Sequence, residues 1–277
     1  MSSSRKKKTN KQLKTYLAIL ASVLAVLVLL ALILTLGRYT SEPPVETEPS
    51  ETIPPETTTE ATEFTYDETF PTDPAVDSRL GIDVSEHQKN IDWGQVKAAG
   101  VEFVFIRVGS RGTTEGKLYA DEMAQQYYQG AKDAGLQVGA YFYSQAVTPK
   151  EAEEEAWFVL DQIANWELDK PVAYDWEWGG QDSRTDGIDP YMLNLCCVSF
   201  CNIIENAGLQ PMIYFNAYQG LEQMDLPFLQ DIPFWLAMYD TPMEFPYRVD
   251  YWQYTAEGTI PGIAGIVDLN IHLISQN

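Results

Sequence analysis

The sequence predicts an α/β protein whose folded domain, residues 79–277, is an eight-stranded barrel with few full helices in its last third. Apolar strand-like runs alternate with helical runs along this segment, which is typical of parallel strands joined by helices. After about residue 209 the helical runs become short and strand-like runs follow one another closely. No G-x-G-x-x-G sequence follows a strand and no P-loop occurs, which counts against the alternative, an open doubly wound sheet.

Eight runs rich in β-branched and aromatic residues predict the strands. They are LGIDV (80–84), EFVFIRV (102–108), QVGAYFY (137–143), PVAYDWEW (171–178), PMIYF (211–215), PFWLAMY (233–239), VDYWQY (249–254) and GIVDL (265–269). Because the strands of a barrel form a ring, the last strand should lie beside the first.

Four helical runs separate the first five strands. They are DWGQVKAAG (92–100), YADEMAQQYYQGAKDAG (119–135), PKEAEEEAWFVLDQIANW (149–166) and DPYMLNLCCVSFCNIIENAG (189–208). Several end in glycine, as helices often do. The cysteines Cys196, Cys197 and Cys201 all fall in the last run, where their spacing is poor for disulfides. We expect them to be small buried apolar side chains.

The N-terminal segment differs in composition from the rest of the chain. Residues 1–15 form a basic tail, and residues 16–36 form an uncharged apolar run of 21 residues, about the length that spans a bilayer as a helix. Six Lys and Arg precede this run, so the positive-inside rule keeps the N-terminus in the cytoplasm. We predict a single-pass anchor in the cell membrane with the barrel outside the cell; an uncleaved secretion signal is the alternative.

Residues 37–78 are predicted to form an acidic stalk between the anchor and the barrel. The segment is dense in Pro, Thr and Glu, and residues 40–78 contain no Lys or Arg. Such a composition cannot bury a core, and its like charges repel one another. We expect an extended segment that gives the barrel reach.

The charge of the chain argues against nucleic acid as a partner. The formal net charge is −22, and no basic cluster follows residue 40, whereas a phosphate backbone needs a basic footprint. Aromatic residues make up 12% of the chain, with 7 Trp and 16 Tyr. This content suits an aromatic-lined cleft, although a heavily aromatic core explains it equally.

Four acids are predicted at the ends of three strands. Asp83 lies near the end of the first strand, Asp175 and Glu177 close the fourth, and Asp268 closes the last. Function in a β/α barrel sits at the C-terminal ends of the strands, so closure should gather these side chains around one mouth. A helix cap or a salt bridge explains a single such acid, but the fourth strand and the loop after it contain no Lys or Arg before residue 184.

The spacing of Asp175 and Glu177 suggests a chemistry. Side chains at i and i+2 of a strand share a face, with Cα atoms roughly 6.5–7 Å apart. Such a pair suits cleavage of a glycosidic bond, in which one acid donates a proton and the other stabilises positive charge. Burial beside Tyr174, Trp176 and Trp178 would push the two pKa values apart. A divalent-cation site and a binding barrel without activity are the alternatives.

Seven different short motifs follow one another along the barrel segment. They are GIDVSEHQ (81–88), IDW (91–93), FVFIRVG (103–109), GAYFYSQA (139–146), PVAYDWEW (171–178), MIYFNAY (212–218) and YWQYTAEGTIPGIAGIVDLNIH (251–272). Together they resemble glycoside hydrolase family 25, the lysozymes of the N-acetylmuramidase or Chalaropsis type. The resemblance covers essentially all of residues 80–273, and its D-x-E strand and WQYT…VDLN tail are specific.

The resemblance implies an irregular (β/α) barrel with about five β/α units and three further strands. It implies hydrolysis of the β-1,4 bond between N-acetylmuramic acid and N-acetylglucosamine in peptidoglycan. By motif, Glu177 is the proton donor. Asp175 stabilises the charged intermediate, as nucleophile or through the substrate's acetamido group. Asp83 and Asp268 are supporting acids.

Four further positions match strand ends that should line the sugar cleft: Tyr143, Tyr214, Trp235 and Gln253. Core packing is the alternative role for the three aromatic residues. We expect neither His87 as a general base nor His272 in the site. The prediction is a monomer that needs no cofactor or metal and binds peptidoglycan glycan strands. The competing functions are a non-catalytic cell-surface glycan-binding barrel and a glycosidase for another polysaccharide.

Overall fold

The computed structural model describes residues 76–239 and 244–275. The predicted basic tail, the predicted membrane span and nearly all of the predicted stalk lie outside these residues. The first strand begins at Val76, three residues before the predicted start of the folded domain. Within the described residues, no helix has both the length and the apolar character that a bilayer span requires.

Nine strands of the described residues form one mixed sheet. They are β1 (Val76–Val84), β2 (Phe103–Arg111), β3 (Leu118–Ala120), β4 (Gln137–Ser144), β5 (Val172–Trp176), β6 (Pro211–Asn216), β7 (Phe234–Ala237), β8 (Tyr251–Gly258) and β9 (Val267–Ser275). The order β1-β9-β8-β7-β6-β5-β4-β2 closes on itself because β1 also pairs with β2. The predicted eight-stranded barrel is confirmed, the open-sheet alternative is wrong, and β3 is an extra strand outside the ring.

Helices follow the first five parallel strands of the ring. They are α1 (Trp93–Ala98), α2 (Ala124–Asp133), α3 (Pro149–Gln162), α4 (Pro190–Asn206), α5 (Ala217–Gln223) and α6 (Leu226–Leu229). The described residues therefore contain five β/α units and three further strands, β7 to β9, as expected. The predicted helix over 119–135 is too long, because its first residues form β3 and a turn. The short helices α5 and α6 were not predicted.

The last strand runs in the opposite direction to the one expected. β9 is antiparallel to both β1 and β8, and Asp83 pairs in register with Asp268. Asp268 was predicted to close its strand, but it lies one residue after the start of β9. The start of an antiparallel strand meets the ends of the parallel strands, so Asp268 still reaches the mouth.

Local sequence signals explain where the helices begin and end. The side chains of Asp92, Thr148 and Asp189 each accept a hydrogen bond from a backbone N–H in the first turn of the helix they precede. The predicted glycine ends are confirmed at three helices, where Gly100, Gly135 and Gly208 have φ values of 91°, 76° and 83°. Helices α1 and α4 thus begin at a capping aspartate and end before a glycine with positive φ.

The sheet divides the core into an inner and an outer layer. Alternate residues of β2 show the division: Phe103 and Phe105 point into the barrel, whereas Val104 and Ile106 face the helices. The Phe105 ring lies 4.6 Å from that of Trp235 inside the barrel. This aromatic layer fills the interior below the mouth, so the barrel is a packed core and not a pore.

The cysteines on α4 agree with the prediction. Cys196, Cys197 and Cys201 are free and buried against the outer face of the sheet. They supply packing volume in the outer layer.

Candidate active site

A cavity of about 310 Å³ opens at the mouth of the barrel. Its walls include all eight residues predicted from the sequence: Asp83, Tyr143, Asp175, Glu177, Tyr214, Trp235, Gln253 and Asp268. Six more residues complete the lining: Ser85, His87, Gln88, Arg107, Tyr141 and Tyr239. The fold therefore brings the predicted residues together, while their chemical roles stay predictions.

Half of the predicted residues lie in one row across the sheet. Tyr143 on β4 pairs in register with Asp175 on β5, Asp175 with Tyr214 on β6, and Tyr214 with Trp235 on β7. Register partners on one face are close neighbours. Trp235 is only 1% exposed and packs on Phe105, so it forms the floor of the cavity more than its wall.

Asp83 is fixed by two amide side chains. Its Oδ2 accepts hydrogen bonds from Gln253 Nε2 at 2.8 Å and from Asn270 Nδ2 at 2.9 Å. Burial raises the pKa of Asp83 to about 6, although both hydrogen bonds favour the charged form. Asp268, its register partner, is partly exposed, and its pKa is raised to about 8 by burial and by the charge of Asp83.

Gln253 was predicted to line the sugar cleft, and its hydrogen bonds point to a second task. Its Oε1 accepts hydrogen bonds from the hydroxyls of Tyr214 at 2.9 Å and Tyr239 at 2.6 Å, while its Nε2 donates to Asp83. The amide is therefore oriented by two tyrosines and holds the carboxylate. Tyr239 and Asn270 were missed from the sequence. Asn270 had a signal, since it stands two residues after Asp268 on the same face of β9.

Asp175 lies deep in the cavity without a full set of partners. It is 5% exposed, and its Oδ1 is buried with no hydrogen-bond partner in the described part of the chain. Burial raises its pKa well above the usual range, and the charges of Glu177 and Asp83 raise it further. Arg107 opposes this rise. The cavity thus contains a buried carboxyl oxygen to which no group of the described residues donates a hydrogen bond.

Glu177 lies just beyond the strand that was predicted to carry it. β5 ends at Trp176, two residues before the end of the predicted run 171–178. Glu177 nevertheless lines the same cavity as Asp175, as the i and i+2 spacing predicts. Burial raises the pKa of Glu177, and the charge of Asp83 raises it further.

Arg107 brings a positive charge to the cavity that was not predicted. Its Nε donates to Asp121 Oδ2 at 2.9 Å and its Nη2 to Glu86 Oε1 at 3.1 Å. Among the described lining residues it is the sole Lys or Arg. Its signal in the sequence is a single charge within the apolar run 103–108, where burial needs a reason.

The two histidines lie in different parts of the domain. His87 is exposed on the turn Glu86–Gln88 at the rim of the cavity. His272 lies at the opposite end of the barrel, stacked on Tyr251 and 3.2 Å from Lys170 Nζ. Burial, followed by the charge of Lys170, lowers the pKa of His272 to about 4. His272 is therefore a neutral packing residue, as expected.

The four acids share a chemistry that follows from their crowding. Burial and mutual repulsion oppose full ionisation of the cluster, so it retains protons at neutral pH. Arg107 favours the ionised form of Asp175. One carboxylic acid and one carboxylate facing the same space are what acid-assisted cleavage of a glycosidic bond requires. Within residues 76–239 and 244–275, no group of His, Cys, Asp and Glu has the arrangement of a metal site.

Comparison with known proteins gives a consistent result. The sequence profile of the family described as "Glycosyl hydrolases family 25" matches residues 82–263. An autolytic lysozyme of Clostridium acetobutylicum is 32% identical over 195 residues, covering 69% of this chain and 54% of the relative. The chain thus spans about half the length of that relative.

Solved structures agree in fold. The autolysin LytC from Streptococcus pneumoniae, solved in complex with a synthetic peptidoglycan ligand, is 26% identical with a TM-score of 0.62, and the match covers 70% of this chain and 46% of LytC. A bacterial lysozyme from Streptomyces coelicolor is 25% identical with a TM-score of 0.60, and the match covers 70% of this chain and 91% of that lysozyme.

Proposed function

The chain belongs to glycosyl hydrolase family 25, and from this premise we propose that it is a peptidoglycan hydrolase of the muramidase type. Its reaction would be hydrolysis of the β-1,4 bond between N-acetylmuramic acid and N-acetylglucosamine. The observation that carries the proposal is the gathering of Asp83, Asp175, Glu177 and Asp268 around one cavity. The autolytic lysozyme relative supports the same activity.

In the first step Glu177 donates its proton to the glycosidic oxygen as the bond from that oxygen to C1 of N-acetylmuramic acid breaks. The N-acetylglucosamine side leaves with a free hydroxyl group. The raised pKa of Glu177 supports this role, because a donor must hold its proton at the working pH.

Asp175 stabilises the positive charge that develops at C1 in one of two ways. Its carboxylate bonds to C1 directly, or it accepts a hydrogen bond from the N–H of the substrate's acetamido group while the oxygen of that group bonds to C1. Its unpartnered Oδ1 supports both versions, because the substrate would supply the missing contact. Either version needs Asp175 to be ionised. Burial and the charges of Glu177 and Asp83 oppose this state, and Arg107 favours it.

In the second step Glu177 takes a proton from a water molecule whose oxygen bonds to C1, while the bond from C1 to Asp175 or to the acetamido oxygen breaks. This step restores the proton on Glu177 and releases reducing N-acetylmuramic acid. Both versions retain the configuration at C1, because each uses two displacements. The charge of Asp83 raises the pKa of Glu177 and so helps Glu177 to hold its proton.

The test is Glu177→Gln, which keeps the shape of the side chain and removes the proton donor. We expect release of reducing ends from purified peptidoglycan to fall by roughly 10²–10⁴-fold, the usual contribution of general acid catalysis. Mass spectrometry of the wild-type products should show reducing N-acetylmuramic acid ends. The matched control is Glu205→Gln, an exposed residue on α4, which should leave the rate unchanged.

The outcomes separate the proposal from its competitors. A wild-type protein that sediments with peptidoglycan but releases no reducing ends is a glycan-binding barrel. Products that end in a different reducing sugar indicate a glycosidase for another polysaccharide. Full activity in Glu177→Gln would rule out the proposed donor.

We further propose that residues 16–36 anchor the enzyme in the cell membrane, with residues 37–78 as a stalk and the barrel facing the cell wall. The support is compositional: an uncharged run of 21 residues preceded by Lys and Arg and followed by an acidic segment. Protease treatment of intact cells should release the barrel from the membrane fraction. Recovery of a soluble, secreted form near full-length mass would contradict the anchor.

A further inference from the structure

Glu177 needs support that the sheet does not supply. The pairing of β5 with β4 ends at Trp176 and its pairing with β6 ends at Asp175. The backbone of Glu177 and the residues after it therefore lies outside the hydrogen-bond ladder. A chain segment outside the ladder moves unless other groups hold it.

Gln145, the residue directly after β4, contacts this segment through its side chain. Its side chain is fully buried, and its Nε2 donates to the Glu177 carbonyl at 2.6 Å and to the Ser144 carbonyl at 3.0 Å. Its own main-chain carbonyl accepts a hydrogen bond from Arg184 Nη1 at 3.0 Å. Both ends of the loop over residues 177–184 are thus attached to one residue.

Thr185 binds the peptide group between Trp178 and Gly179, on the other side of Trp178 from the Glu177 carbonyl. Its side chain is fully buried, and its Oγ1 accepts a hydrogen bond from the Gly179 N–H at 2.8 Å and lies 3.4 Å from Gln145 Oε1. A Cβ at residue 179 would crowd Gln145 Oε1 and Ser183, and glycine avoids this crowding. The peptide groups on both sides of Trp178 are therefore clamped.

We infer that Gln145 and Thr185 form a clamp, a pair of positioning residues that fixes the backbone of Glu177 so that its carboxyl group faces the scissile bond. The inference rests on the proposed function of Glu177. Burying two polar side chains is costly unless their hydrogen bonds are made. Each makes one hydrogen bond to residues 177–179, the segment that carries the proton donor, and the two side chains also contact one another. Neither side chain lines the cavity, so neither acts on the substrate directly.

The primary test is Gln145→Met, which keeps the side-chain length and removes the hydrogen bonds. Displacing a catalytic group by about 1 Å can lower the rate roughly 10²-fold. We expect kcat on peptidoglycan to fall by about that factor with KM nearly unchanged. Amide hydrogen exchange at Gly179 should become at least about tenfold faster, which reports the clamp whether or not the protein cleaves peptidoglycan.

Gln145→Glu sharpens the test through pH. A neutral carboxylic acid can donate to the Glu177 carbonyl, but a carboxylate repels it, so activity should recover relative to the wild type as the pH falls. A side chain with a merely structural role would not produce this change in the pH profile of kcat.

The matched control is Asn194→Leu, another buried amide that bonds to backbone groups, but away from the cavity. Its Nδ2 donates to the Pro190 carbonyl at 2.6 Å and its Oδ1 accepts from the Asp225 N–H at 2.9 Å. It should lower Tm and leave kcat per folded molecule and Gly179 exchange unchanged. Unchanged kcat in Gln145→Met would overturn the inference.

Thr185→Val gives a milder change for the case in which Gln145→Met does not fold. It removes the hydroxyl that holds the Gly179 N–H. Faster exchange at Gly179 together with a lower kcat supports the clamp, and unchanged values of either contradict it. If the wild-type protein releases no reducing ends, the proposed function fails, and exchange at Gly179 together with an NMR titration of Glu177 in Gln145→Met still decides the clamp.

Discussion

Two buried carboxyl groups of the barrel are held in opposite ways. Glu155 on α3, fully buried in the outer layer, accepts a hydrogen bond on each oxygen: 2.6 Å from Arg111 Nε and 2.6 Å from Ser144 Oγ. Asp175, at the mouth, has a buried Oδ1 without a partner in the described residues. Burial raises the pKa of both groups, to about 7 for Glu155.

The difference shows which of the two sites is complete. Both oxygens of Glu155 accept hydrogen bonds from the protein, so its ion pair with Arg111 connects α3 to the sheet and needs no further hydrogen-bond donor. An unsatisfied buried polar atom costs about 1–3 kcal/mol, and the fold carries this cost at Asp175. A destabilising feature of this kind is characteristic of functional sites, where a ligand supplies the hydrogen bond that the protein does not make.

The largest effect should come from breaking the complete site. Arg111→Met leaves Glu155 buried without its counterion and removes the hydrogen bonds from Arg111 to the carbonyls of Gly116 and Glu151. Breaking a buried pair by removing one partner costs about 3–5 kcal/mol. For a domain of this size we expect Tm to fall by roughly 6–20 °C in a thermal unfolding experiment followed by circular dichroism.

An exposed ion pair gives the control for that prediction. Arg248 is 79% exposed and lies 2.6 Å from Asp250. Arg248→Met should cost less than about 1 kcal/mol, because exposed pairs contribute little. Equal losses in the two variants would mean that burial of the Arg111 pair has no special weight.

A smaller effect, of opposite sign, should come from relieving the crowded acids. The pKa of Asp268 is raised from 3.8 to about 8, so the folded protein binds this proton more tightly than the unfolded chain does. Stability is then lost as the pH rises from about 4 to about 8. Asp268→Asn removes the penalty. We expect Tm at pH 8 to rise by roughly 2–4 °C, equivalent to about 1 kcal/mol, with little change at pH 4.

Asp231→Asn is the matched control, since Asp231 is exposed and precedes the start of β7, at the end of that strand opposite the mouth. It should show no pH-dependent gain. A lower Tm for Asp268→Asn at pH 8 would mean that Asp268 stabilises the fold, contrary to the contrast drawn with Glu155.

The smallest effect should come from the outermost contact of the mouth. Tyr239 is 41% exposed, and its hydroxyl donates to Gln253 Oε1, which also accepts from Tyr214. Tyr239→Phe removes one of two similar hydrogen bonds, so kcat/KM should fall only roughly two- to tenfold. Tyr218→Phe, 70% exposed on α5, is the control. A loss as large as that of Glu177→Gln would make Tyr239 part of the chemistry.

Much of the barrel could be predicted because its strands are long apolar runs with clear glycine and capping signals. The direction of β9 could not, since a run such as GIVDL carries no information about parallel or antiparallel pairing. Asp268 was correctly predicted to lie at the mouth, but for a wrong reason: it lies at the start of an antiparallel strand and not at the end of a parallel one. β3 was missed because three residues have too little periodicity to distinguish a strand from the start of a helix.

The acids of the site could be predicted because charge within an apolar strand is rare and costly. The orienting roles of three amide side chains could not: Gln253 was predicted only to line the cleft, and Gln145 and Asn270 were missed. Gln145, Gln253 and Asn270 act through hydrogen bonds to residues 32 to 187 positions away in the chain. Such contacts exist only after closure, and an amide side chain alone does not show which partner it will meet.

The pairing of Val76 with Ser275 has a practical consequence. Both residues lie at the end of the barrel opposite the acids, roughly 23 Å along β1 from Asp83 at 3.3 Å per residue. The two strand ends are neighbours, so a short linker can join them and new termini can be opened in another loop, which makes the barrel suited to circular permutation. For the same reason, coupling to a solid support through either strand end would leave the cavity open.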